Sequence, residues 1–225
     1  AESYIPRTWK DQVDSIRQCN AISGNEDNPD LVAFIGWEWT QAGATPETHY
    51  GHHNVIFKDY KEGQIPDRPI AAAGALSNVL RTQLADVNRN LFLLDPLNKD
   101  YYLSFADYLD AILSTPNCEE GIPSNYLPKD CYESATTPGE LYAKLDDWGF
   151  DVEVIPHGTT WGFYTPQAAS WEEYTQTPDN IRPDYNSLVE IYSGHGNSEV
   201  LFDFLEVEKD EEGNLNCPEP TLDYL

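Results

Sequence analysis

The residues of this chain that could do metal chemistry stand beside apolar runs that are typical of buried strands. All five histidines fall in three short segments: His49, His52 and His53 beside 53–57, His157 after 152–156, and His195 after 188–192. A fourth apolar run, 31–37, is followed by Glu38. Imidazole and carboxylate groups that separate strands bring to one edge of a sheet form metal sites in many folds. The pattern therefore predicts a site for a divalent ion, and such a mixed ligand set suits Zn, Mn or Fe.

The elements that must position these groups alternate between helix and strand. One amphipathic helix is predicted over 6–21, before the run at 31–37, and another over 137–149, before the run at 152–155. This alternation is typical of a parallel α/β sheet or barrel. The carboxyl ends of parallel strands share one edge, where active sites of such folds lie. We therefore expect the carboxylate and the histidines to meet at that edge.

Between residues 60 and 115 the composition changes to Ala, Leu, Asn and Asp with helical spacing. Helices are predicted over 71–84 and 104–113, with Ser104 as an N-cap. Because this stretch contains no histidine, we expect 60–115 to be a helical insertion or a lid.

The neighbouring histidines of the first segment cannot both serve one site. Alternation along a strand places His52 and His53 on opposite faces, so at most one of them points to a shared site. His49 lies in a polar loop before the strand and is expected at the surface.

The loop that holds His195 is a candidate substrate-binding segment. Its neighbours Gly194, Gly196 and Asn197 are small, so backbone N–H groups could approach an anion there. A tight turn rich in Gly and Asn explains the same composition, which favours the turn slightly.

Charge and hydropathy limit the classes of partner. The net charge of −26 is spread along all 225 residues, which disfavours binding to nucleic acids and to anionic membranes. No apolar stretch approaches the roughly 18 to 20 residues that span a bilayer. A small-molecule substrate is the expected partner, and the oligomeric state stays open. The acidic surface is explained by solubility or, less directly, by attraction of divalent cations.

The four cysteines contain no CxxC pair, which argues against a zinc ribbon and against a thioredoxin-like motif. Cys118 and Cys131 flank a loop rich in Pro and Gly, and a bridge between them would stabilise the fold by about 3 kcal/mol in the loop-entropy model. Such a bridge would favour a periplasmic or secreted protein. Two buried free thiols explain these positions about as well.

Other enzyme classes have less support. The chain lacks the GxSxG, GxxxxGK[ST], GxGxxG and HExxH patterns. A glycoside hydrolase is a minor alternative, because Glu38, Glu153 and Glu190 are strand-associated acids and the Trp-rich segments 37–39 and 161–171 could stack on sugars.

Four blocks of the sequence, 34–40, 49–57, 155–162 and 189–199, resemble the domain-of-unknown-function family 3604. They include Gly36-Trp37-Glu38-Trp39, His52-His53-Asn54, Pro156-His157-Gly158 and Ser193-Gly194-His195-Gly196-Asn197. That family is related to the PHP (polymerase and histidinol phosphatase) metal-dependent phosphoesterases. The resemblance implies a distorted (β/α)7 barrel that holds two or three divalent metals at its carboxyl-end rim.

The resemblance also implies individual ligands. Glu38 corresponds to a carboxylate ligand, His52 to the ligand on the next strand and His157 to the one after, whereas His53 occupies a position where the family tends to have Lys or Arg. The early His-x-His strand and Asp-His pair and the late Asp-x-His strand of PHP proteins are missing. Residues 1–225 are therefore expected to be the central part of one PHP-like domain.

These observations predict a metal-dependent hydrolase that acts on a phosphoester with metal-activated water. No residue is assigned a catalytic role beyond metal binding. The alternative is a non-catalytic module that has lost its metals and binds an anion or a sugar.

Overall fold

A computed structural model describes residues 5–22, 32–82, 93–157, 175–188, 190, 192–193, 196–197, 208–209 and 214–216. The helices are α1 (Pro6–Ile22), α2 (Ala75–Thr82), α3 (Lys99–Ser114) and α4 (Pro138–Trp148). The longer strands are β1 (Ile35–Gln41), β2 (Gly51–Phe57), β3 (Ile70–Ala72), β4 (Glu133–Ala135) and β5 (Val152–His157). All of these belong to one compact unit, Ala1–Glu190.

The second unit, Ile191–Leu225, contains two short antiparallel pairs among its described residues. Strand β6 (Tyr192–Ser193) pairs with β7 (Gly196–Asn197), and β8 (Glu208–Lys209) pairs with β9 (Leu215–Asn216).

The sheets of the first unit are small. Strands β1, β2 and β5 form a three-stranded sheet in the order β1-β2-β5, with both pairings antiparallel. Strands β3 and β4 form a separate parallel pair. In the three-stranded sheet Thr40 of β1 lies opposite His52 of β2, and His52 lies opposite His157 of β5.

The expectation of a distorted (β/α)7 barrel is wrong, because in the described part of the chain no barrel closes and the histidine-bearing strands are antiparallel. The physical reason lies in the connection 42–50 between β1 and β2. A parallel neighbour needs a crossover of roughly a dozen residues or more, whereas a shorter loop joins antiparallel strands directly. Alternation of helix and strand along the chain did not reveal this hairpin.

The core lies against one face of the three-stranded sheet. Trp37 and Phe57 on this face pack edge to face with Trp9 of α1, at ring-centroid distances of 5.4 and 6.1 Å. Trp148 of α4 packs on Trp37 at 6.2 Å. The remaining core residues of this cluster include Val13, Ile35, Trp39, Val55, Leu141, Tyr142, Leu145 and Val154. Two helices therefore cover one face of the sheet and leave the other outside the core.

The helices predicted at 6–21 and 137–149 are confirmed as α1 and α4. Thr137 accepts a hydrogen bond from the backbone N of Glu140 at 3.1 Å and caps α4. Gly149 ends the helix with φ of 68°, a left-handed conformation in which Gly carries no steric cost.

The segment 60–115 contains a strand as well as helices. The helix predicted over 71–84 begins later, because Ala71 and Ala72 belong to buried strand β3 and α2 starts only at Ala75. Ser104 is not an N-cap, because α3 already begins at Lys99 and passes through it.

Candidate metal centre

The face of the three-stranded sheet that points away from the core, here called the outer face, carries the predicted ligands Glu38, His52 and His157. Side chains alternate along a strand, so Glu38 and Thr40 lie on the same face of β1, opposite to the core residues Trp37 and Trp39. The register then places His52 and His157 in one row with Thr40. Glu38 lies within β1 rather than after its end, so the expected position at a strand end is wrong for this residue.

Glu38 contacts His52 directly. Its Oε1 atom lies 2.5 Å from Nδ1 of His52, and it accepts a hydrogen bond of 2.7 Å from the hydroxyl of Thr40. The bond from His52, with that from Thr40 in support, lowers the pKa of Glu38 to about 2. The carboxylate is therefore ionised and accepts a hydrogen bond from Nδ1–H of His52, which places the lone pair of a neutral His52 imidazole on Nε2.

His157 stacks on His52. The two rings are 5.2 Å apart between centroids and 22° from parallel. Nδ1 of His157 lies 3.8 Å from Oε1 of Glu190. Each imidazole of the pair therefore has a carboxylate on its Nδ1 side. The sequence marked Glu190 only as a strand-associated acid and gave no signal for this pairing.

Imidazole and carboxylate groups such as those of His52, His157 and Glu38 are suitable ligands for a divalent ion, but they do not form a complete ligand set here. Metal bonds of about 2.0 to 2.2 Å place two ligand atoms of one tetrahedral ion roughly 3.3 Å apart. The 2.5 Å contact between Glu38 and His52 is shorter, so these two atoms bond to each other rather than to a shared ion. Among the described residues, no group of three or more His, Cys, Asp or Glu side chains has metal-binding geometry.

His53 lies on the buried face of β2, as strand alternation predicts. Its ring packs edge to face on Trp39 at 5.3 Å, and neither ring nitrogen has a hydrogen-bond partner among the described residues. Burial lowers the pKa of His53 to about 3. It is a neutral core residue, and the choice of His52 as the outward-facing neighbour agrees with this placement.

The expectation that His49 lies at the surface is wrong, because its side chain is 3% exposed. It follows a short 3-10 helix, Pro46–Thr48, and its backbone N donates to the carbonyl of Pro46 at 3.3 Å. Burial lowers the pKa of His49.

The remaining predicted site residues are placed only in part. Gly194 and His195 lie outside the described residues, whereas Gly196 and Asn197 form β7. The substrate-binding role of this loop stays a prediction.

The structure also bears on the glycosidase alternative. Trp37 and Trp39 are buried in the core, so they do not offer a sugar-stacking surface. The Oε1 atom of Glu153 in β5 accepts hydrogen bonds from Ser187 and Leu188, so this carboxylate contacts the protein itself. Segment 161–171 lies outside the described residues.

Comparison of the chain with protein-family models, with curated proteins and with solved structures gave no match. The resemblance to family 3604 therefore stays a prediction. No helix in the described ranges has the length and apolar character that crossing a bilayer requires.

Proposed function

We propose that the protein is a metal-dependent hydrolase that binds a divalent ion on the outer face of the sheet through His52 and His157. The stacked imidazole pair, with a carboxylate on the Nδ1 side of each ring, is the observation that supports this proposal. A carboxylate that holds Nδ1–H of a histidine fixes its tautomer and raises the basicity of Nε2, which is the usual arrangement around metal-ligating histidines.

Each residue of this face has a separate task. Glu38 orients His52 and keeps its proton on Nδ1, and Thr40 fixes the Glu38 carboxylate by a second hydrogen bond. Glu190 lies on the Nδ1 side of His157, but its Oε1 is 3.8 Å from Nδ1, which is longer than a hydrogen bond. The ion, when bound, would lower the pKa of a coordinated water and stabilise charge that develops on the substrate. In this proposal His52 and His157 supply two of the ligands of the ion, and the set needs others.

The substrate class follows from the resemblance to PHP phosphoesterases, which favours a phosphoester. A periplasmic or secreted location is proposed from the disulfide between Cys118 and Cys131, because such bonds persist in oxidising compartments.

The test measures metal binding and hydrolysis with the same protein. Zn²⁺ and Mn²⁺ are titrated into the chelator-treated full chain by calorimetry, and hydrolysis of p-nitrophenyl phosphate is then followed with each ion. We expect binding and turnover in the wild type, and loss of both in His157→Ala without a change in the thermal melt. Lys58→Ala, an exposed change at the far end of β2, is the matched control.

The outcomes separate the alternatives. Metal binding without turnover of p-nitrophenyl phosphate would favour the non-catalytic binding module. Absence of metal binding, or equal losses in both variants, would reject the proposed site.

A further inference from the structure

We propose that a second site, separate from the metal-binding face, binds a small polyhydroxylated ligand of the carbohydrate class. The site is a cavity of about 560 Å³ at the carboxyl ends of the parallel strands β3 and β4. Ala73 and Thr136, the residues that follow these strands, form part of its wall. Its size falls within the roughly 300 to 1,000 Å³ of small-molecule sites, and carboxyl ends of parallel strands are where such crevices open.

The floor of the cavity is polar although it is buried. Ser77 and Tyr132 line it, and their hydroxyl oxygens are 2.6 Å apart. Tyr132 donates its own proton to the carbonyl of Ala72 at 3.2 Å. The Ser77 hydroxyl must therefore donate to Tyr132, which leaves both lone pairs of the Ser77 oxygen as acceptors for a ligand hydroxyl or amine.

A buried ion pair lies beside the cavity. Glu133 lines the cavity, and its Oε2 atom lies 2.6 Å from Arg68, while the side chains of both residues are almost fully buried. Lys144 lies 3.5 Å from the other oxygen of Glu133 and 3.8 Å from Glu140. The Lys144 charge is therefore balanced by protein carboxylates before any ligand enters.

The charges of the lining disfavour an anionic ligand. Arg81, the other cation, donates to the carbonyls of Ile112 and Thr115 and to the Oδ1 atom of Asn117. With Arg68, which is paired with Glu133, the cations number three, whereas the lining has four carboxylates, those of Glu119, Glu120, Glu133 and Glu140. A phosphate or carboxylate would meet net negative charge, whereas hydroxyl and amine donors would meet acceptors.

The cavity wall is held rigid by covalent and hydrogen bonds. Cys118 is joined to Cys131 by a disulfide, and its backbone N donates to the carbonyl of Tyr132 at 2.9 Å. The guanidinium of Arg81 covers the ring of Tyr132 at 4.0 Å. A wall that is ordered before binding loses less entropy when a ligand enters.

The experiment is calorimetric titration of the full chain, in the presence of a chelator, with glucosamine, glucose and glucose 6-phosphate. The chelator makes the result independent of the proposed metal site. We expect glucosamine to bind more tightly than glucose, and glucose 6-phosphate to bind at least tenfold more weakly than glucosamine. Failure of both uncharged and amine sugars to bind, or preference for the phosphorylated sugar, would overturn the proposal.

Two variants locate the binding. Ser77→Ala should weaken glucosamine binding by about five- to tenfold through loss of one hydrogen bond, whereas Ser15→Ala on α1 should not. Because Ser77 is buried, its replacement can also destabilise the fold. The second variant is therefore Glu120→Gln at the exposed rim of the cavity, with exposed Glu62→Gln as its control. Glu120→Gln should reduce the preference for glucosamine over glucose. Equal effects of variants and controls would show that the cavity is not the site.

Discussion

At the scale of single residues, the candidate site consists of short polar contacts across neighbouring strands. Successive side chains of a strand point to opposite faces, so only one of His52 and His53 was predicted to face the site. The structure agrees, because His53 is buried and His52 is on the other face. The contact between His52 and Glu38 could not be predicted in the same way. It depends on which residues of β1 and β2 lie opposite each other, and the register is set by the loop between them.

The role of Glu38 gives a direct prediction that rests on the proposed metal site. Glu38→Gln removes the negative charge that holds Nδ1–H of His52 while keeping the size of the side chain. We expect Zn²⁺ affinity to fall by about 10- to 100-fold, as for other residues that orient metal-bound histidines.

Calorimetry measures this change in affinity. The control is Glu47→Gln, which changes an exposed carboxylate in the loop between β1 and β2. Unchanged affinity in Glu38→Gln would show that Glu38 does not orient a metal-bound histidine.

Tyr142 allows a prediction of pH dependence. Burial raises its pKa to about 12, whereas a phenol in an unfolded chain has a pKa of about 10. Between these values the folded state keeps a proton that the unfolded state has lost. Stability should therefore fall as pH rises, by up to about 1.4 kcal/mol per pH unit.

Tyr142→Phe should make this alkaline loss less steep. Urea unfolding between about pH 9.5 and pH 11.5 measures the slope. Exposed Tyr126→Phe is the control, and an identical slope in Tyr142→Phe and wild type would contradict the assignment.

At the scale of elements, local signals predicted α4 more fully than any strand pairing. Thr137, Pro138 and Gly149 mark its ends through hydrogen bonding and backbone preference, which act within a few residues. Strand direction is set by contacts that are distant in sequence. The apolar runs therefore predicted that β1, β2 and β5 exist, but neither their antiparallel order nor the separation of β3 and β4 into another sheet.

The disulfide has a predictable effect on the unit that contains it. Cys118 and Cys131 are 13 residues apart, and closing a loop of this length stabilises a fold by about 3 kcal/mol. The double variant Cys118→Ser/Cys131→Ser should lose about this much free energy of unfolding.

Chemical denaturation measures the loss, and Cys19→Ser, which changes an exposed free thiol, should leave stability nearly unchanged. A loss as large in Cys19→Ser would show that the bridge is not its source.

At the scale of the whole molecule, negative charge is the dominant property. The chain has 39 acidic and 13 basic residues, so its formal net charge is −26. The buried pair Arg68–Glu133 is shielded from solvent, whereas Lys10–Asp14 and Lys58–Asp151 are exposed. Exposed pairs contribute only about 0 to 1 kcal/mol each. Such pairs add little against the self-repulsion that a net charge of −26 produces.

Salt should therefore stabilise this protein. The Debye length falls from about 30 Å at 0.01 M to about 3 Å at 1 M salt, which screens repulsion between distant carboxylates. We expect the melting temperature to rise over this range, equally in NaCl and KCl because screening does not depend on the cation. The triple variant Glu62→Gln/Glu119→Gln/Glu120→Gln removes three exposed charges and should melt higher in low salt and respond less to added salt. A melting temperature that falls with salt, or a variant that responds as the wild type does, would mean that contacts within the fold outweigh the self-repulsion of its surface.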